Sequence, residues 1–282
     1  MSNIHRLSDL PPQRDRRSQS GRSFNNNEPG LSLRFIDLFF PGITWKHSII
    51  WISLVQFIVY IATCIVGSYA LSPYVTTLIK FQASVPSLVK EGQVWRLLIS
   101  LFLHASIWHI VFNIIFQLRL SLSCEIKYGR ILNFTIYFIS GLLGNLFSVA
   151  IRSSCVVAVG ASTSGFGLIG AQLAELILFW HTLQNKEQVV INILLFGILM
   201  ILITWGNPSS AIDHWGHIGG FVSGTCIGII CNFKSDLKPK WYQAAFGVSI
   251  ALVSCTLIGP IIRIWAFELA PCVVFPEKLM NP

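Results

Sequence analysis

Charge is what this 282-residue sequence has least of: only 11% of its residues are Asp, Glu, Lys or Arg, against 53% hydrophobic ones. With a mean hydropathy of +0.65, that scarcity excludes an ordinary soluble domain. The first thirty residues carry no apolar core of a cleavable signal peptide. Seven cysteines (Cys64, Cys124, Cys155, Cys226, Cys231, Cys255 and Cys272) form no CxxC pair and no metal-like spacing. Most sit in apolar segments as small filler, so free thiols are expected, with a Cys155–Cys272 link the one outer pairing to consider. No metal, nucleotide or flavin motif appears, so no cofactor is implied. Neither an internal repeat nor a pair of matching interrupted spans marks a transporter.

Long apolar runs are abundant. Seven approach or exceed the ~18 to 20 residues that cross a bilayer. They lie near 48–71, 97–117, 131–151, 161–181, 188–205, 214–232 and 241–263. The fold class expected is therefore all-α, a polytopic transmembrane helical bundle. Residues 1–47 read as a basic, disordered cytosolic tail whose stretch from Leu31 to Lys46 lies at the bilayer interface. A six-span core follows over 48–240, then a seventh helix and short outer tail over 241–282. With the N-terminus inside, the outer segments hold only Lys80, Lys90, Arg96, Arg152, Arg263 and Lys278 among the basic residues. That bias places the N-terminus in the cytosol and the C-terminus outside. It also accounts for the net charge of +8 without nucleic acid.

The connection over 72–96 is only partly hydrophilic and should rest in the outer leaflet. At its end Trp95 suits an interface anchor, and Arg96 can tie down loop carbonyls.

Three segments carry groups able to do chemistry. Gly160-Ala161-Ser162-Thr163-Ser164-Gly165 opens the fourth span. Alone, such a cluster is better explained by close helix packing. In the second span His109 and Asn113 are four apart and share a helix face. They could be polar glue between helices, or donors to an oxyanion. His104, about 140° round on ideal geometry, is expected to hold a loop or a neighbouring helix. In the sixth span, Gly216, Gly220 and Gly224 form a small-residue face beside His217. His217 is either a satisfied structural histidine or a general base; His214, nearer water, is the weaker candidate. Asp213, four before His217, is read as an N-cap in preference to a third triad member. Glu175 lies thirteen residues beyond Ser162, roughly 20 Å down the helix, and is too far for catalysis.

Taken together, Trp95-Arg96, His104…His109…Asn113, Glu125…Gly129, Gly160-Ala161-Ser162 and Gly216-His217-Ile218-Gly219-Gly220 resemble the rhomboid family of intramembrane serine proteases. The seventh span is similar to the six-plus-one arrangement of eukaryotic secretory-pathway members. The Gly-Ala-Ser-Thr-Ser-Gly wording is similar to that of apicomplexan rhomboids, some of which cut surface adhesins.

The resemblance implies a Ser–His dyad without an acid. Ser162 would be the nucleophile and His217 the base; His109 and Asn113 would form the oxyanion site, with His104 and Arg96 structural. Thr163-Ser164 departs from the glycine or alanine common after the serine, which keeps Ser164 as a rival nucleophile. The function expected is endoproteolysis of single-span membrane proteins near the outer end of their helix. The setting would be the secretory pathway or plasma membrane. A catalytically silent client-binding protein is the alternative, with a transporter behind it.

Overall fold

The computed structural model describes residues 40, 43–184, 186–206, 213–233 and 240–271, without the side chains of 199–206. The tail of residues 1–39, most of the proposed interfacial stretch and Cys272 lie outside the described residues.

Helix α1 (Ser48–Val66) ends where Gly67 N–H donates to Thr63 O. A two-residue hairpin follows, β1 (Ser68–Tyr69) against β2 (Ser72–Pro73). The first span is therefore helical to 66 and not to 71. The connection then forms short helices α2 (Val75–Lys80) and α3 (Pro86–Lys90). It does rest on the bundle: its Val89 packs with Leu97, Leu146, Val149, Ala150 and Ile264. Arg96 is 5% exposed. Its Nη1 donates to Ile79 O and Ala83 O at 3.0 and 2.9 Å, and its Nε to Gln93 Oε1 at 2.8 Å. Those bonds are what make burial of a guanidinium tolerable. Trp95 is half exposed, with Nε1 donating to Gln82 Oε1.

The second span does not start at 97. After α4 (Arg96–Ile99) and a 3-10 turn over Ser100–Phe102, the chain is non-helical to Ser106. Ser106 caps α5 (Ile107–Ile151) by accepting the His109 N–H. A 45-residue helix is far too long for one crossing. Gly129 divides it, with φ 77° and ψ 167°, into the second and third expected spans. Four helices follow: α6 (Ser162–Phe179), α7 (Lys186–Gly206), α8 (His214–Cys231) and α9 (Lys240–Ala266). Among the described residues α1, α5, α6 and α9 are long and apolar enough to span a membrane. The architecture is an all-α polytopic bundle.

Helix α8 packs against both α5 and α6, and its glycines set the spacing. A Cβ on Gly220 would overlap the Thr163 carbonyl oxygen, and one on Gly224 would overlap that of Gly167. Lower in the bundle, polar side chains knit three segments. Gln56 Nε2 donates to Tyr137 Oη and Leu101 O, each at 3.1 Å. Gln117 Nε2 donates to Gln56 Oε1 and to Ser53 Oγ, and Tyr137 Oη donates to Gln117 Oε1 at 2.7 Å. At the other end, Glu125 accepts from Ser48 N and Oγ at 3.1 and 2.8 Å, with His47 Nδ1 at 3.3 Å. Glu175 pairs with Lys127, well away from Ser162. Cys155, one half of the outer pairing considered from the sequence, is disulfide-bonded. Cys64, Cys124, Cys226, Cys231 and Cys255 are free.

Candidate active site

Ser162 is the first residue of α6. Its backbone N–H is therefore one of the donors at a helix start that have no partner within the helix. Gly160, two residues earlier, has φ +123°, a conformation that excludes most side chains. A Cβ there would also sit 2.8 Å from His109 Nε2. Glycine thus lets the segment before the nucleophile candidate turn beneath the His109 ring. The segment is anchored by Gly160 N–H donating to Ser100 O at 2.9 Å and by the Ser84–Ala158 backbone pairing.

Ser162 Oγ lies 2.7 Å from His217 Nε2. The two come from elements 55 residues apart, and the glycine contact between α6 and α8 brings them together. Phe166, one turn below Ser162, stacks on the His217 ring with centroids 4.5 Å apart and planes inclined by 21°. Ser164 is directed elsewhere. It is fully buried, and a Cβ on Gly141 would overlap its Oγ, so its hydroxyl faces α5.

His109 presents Nε2 to the same place. The Ala105 N–H donates to His109 Nδ1 at 3.3 Å. A neutral ring that accepts at Nδ1 carries its proton on Nε2, which becomes a donor. Asn113 is only partly aligned with it: its Nδ2 donates to His109 O at 2.8 Å. One amide hydrogen remains for any other acceptor. His104 sits in the non-helical segment before α5 and not on the helix, so its ideal-helix angle to His109 does not apply. It is fully buried with its ring edge-on to His109, centroids 5.2 Å apart. Asp213 is the N-cap of α8, accepting from Gly216 N–H at 2.9 Å.

A hydroxyl with an imidazole within proton-transfer distance, and the His109 Nε2 beside the turn that precedes that hydroxyl, suit acyl transfer. Among the described residues no group of histidines, cysteines and carboxylates could hold a metal ion. Phe166 and the pairing of Asp213 with Ser148 and Arg152 were not singled out in the sequence. The four-residue spacing from Ser162 to Phe166 was the available signal for the former.

The Rhomboid domain family model matches residues 91–233. Rhomboid-like protease 1 of Toxoplasma gondii is 41% identical over 79% of this chain and 78% of its own length. Rhomboid-like protease 2 of the same organism is 37% identical, over 92% and 96% respectively. RHOMBOID-like protein 5 of Arabidopsis thaliana is 34% identical over 62% of this chain and 57% of its own. The chain belongs to the rhomboid family.

Proposed function

We propose that this protein is a serine endopeptidase that cuts single-span membrane proteins near the outward end of their transmembrane helix. The observation that carries the proposal is the 2.7 Å approach of Ser162 Oγ to His217 Nε2. His217 takes the hydroxyl proton as Oγ bonds to the scissile carbonyl carbon. The negative charge that develops on the carbonyl oxygen meets His109 Nε2–H, the Ser162 N–H and the remaining Asn113 amide hydrogen. Collapse of the tetrahedral species passes the proton from His217 to the leaving amine. A water then reverses the sequence on the acyl-enzyme. Arg96 and His104 support the site without touching the reacting atoms.

The division is a cytosolic tail over 1–47, a six-span core over 48–240 and a seventh helix with an outer tail over 241–282. The bundle end carrying 67–106 and 152–161 faces outward, as the basic-residue bias requires. The enzyme works in the secretory pathway or plasma membrane. Its substrates have small residues at the cut and a locally weakened helix, and surface adhesins are one class to test. The reading is tested with purified protein in detergent and a tagged transmembrane substrate. Wild type should cut and Ser162→Ala should not; equal cutting by both overturns it. Binding of clients without cleavage by wild type would instead mark a silent, client-binding protein.

A further inference from the structure

The Asp213 carboxylate is the meeting point of two hydrogen-bond donors and a guanidinium. Gly216 N–H donates to it at 2.9 Å, Ser148 Oγ lies 2.7 and 2.6 Å from its two oxygens, and Arg152 Nη1 is 3.2 Å away. Capping α8 requires only the first of these. The other two come from the far end of α5, where Ser148 lies in the last turn and Arg152 is the C-cap. The carboxylate's hydrogen bonds go to Ser148 and Gly216, not to the His217 ring, so it is no third member of a triad. Its backbone carbonyl does accept the His217 N–H at 3.0 Å, so Asp213 and His217 share the first turn of α8.

Smooth glycine faces make this join consequential. Gly216 and Gly220 lie against Gly144 of α5 as well as against Thr163 of α6. Surfaces without side-chain knobs permit close approach but interdigitate poorly, so they fix axial register weakly. A slip of α8 by a single residue's rise, about 1.5 Å, would break a 2.7 Å contact.

We infer that Asp213, Ser148 and Arg152 form a positioning clasp that sets the height and rotation of α8 and thereby keeps His217 Nε2 on Ser162 Oγ. The inference rests on the reading of Ser162 and His217 as the dyad. The clasp residues act through the helix and touch no reacting atom.

The test measures kcat and KM on a tagged transmembrane substrate for the full-length protein in detergent, alongside thermal midpoints. The variants are Asp213→Ala, Asp213→Asn, Arg152→Gln and the Asp213→Asn/Arg152→Gln double. Asp213→Ala should lower kcat by about tenfold or more with KM within about twofold. Asn keeps the cap and an acceptor for Ser148 but leaves the Arg152 charge unpaired. Asp213→Asn alone should therefore lose kcat, and the double variant should recover most of it. A kcat for folded Asp213→Ala within about twofold of wild type overturns the clasp. So does a double variant no better than Asp213→Asn, the comparison that decides if Asp213→Ala does not fold. If Ser162→Ala still cuts, the dyad itself has failed; if it is dead while Asp213→Ala is fully active, only the clasp has.

Discussion

Gly220 of α8 lies so close to Thr163 of α6 that a single added methyl would overlap the Thr163 carbonyl oxygen. One residue before Thr163 is Ser162, and three before Gly220 is His217. A very close backbone contact of the bundle is thus placed beside the hydroxyl–imidazole contact and sets the separation of the two helices that carry those groups.

Gly220→Ala should therefore force the helices apart by a fraction of an ångström or more. Overpacking of this kind costs about 1–3 kcal/mol, and a misplacement near 1 Å can cost about a hundredfold in rate. Cleavage rate per folded molecule, with the thermal midpoint measured beside it, checks both parts. Gly220→Val should be worse on both.

Gly160→Ala tests the left-handed turn beneath His109. The positive φ costs a side-chain-bearing residue about 1–2 kcal/mol, and the new methyl would crowd His109 Nε2 at 2.8 Å. Cleavage should fall by about tenfold or more while the far end of the bundle is unaffected. Near-normal activity would show that the His109 ring does not need its present position.

How much of this was legible in the sequence follows from what each signal encodes. Ser162, His217 and the glycine face of α8 were visible because small-residue spacing and polar groups in apolar runs are local patterns. The start of α5 was misplaced because Trp95 to Leu103 is as apolar as a span, whereas the Ser106 cap and Gly129 decide where the helix lies. The Gln56–Gln117–Tyr137 network could not be read at all, since it joins residues up to 81 apart and none has a local partner. Arg152 was counted only as a loop charge, and its pairing with Asp213 exists only once α5 and α8 meet.

Gln117→Leu should test that network as structure and not as chemistry. Losing hydrogen bonds to Ser53 and Gln56 should cost roughly 1–2 kcal/mol, the scale of polar contacts between membrane helices. The thermal midpoint should drop, with kcat of the folded fraction close to wild type.

Glu125→Ala should act in the same way from the opposite end. It removes the acceptor for both Ser48 donors and the partner of His47, an expected loss of about 1–3 kcal/mol. Labelling of the folded fraction by an active-site probe should be unchanged; a slowed reaction would mean that this cluster is coupled to the site.

The most direct measurement is the mapping of a fluorophosphonate adduct by peptide mass spectrometry on the purified protein. The label should sit on Ser162, vanish in His217→Ala and persist in Ser164→Ala. A label on Ser164, or undiminished labelling of Ser162 without the His217 imidazole, would contradict the account.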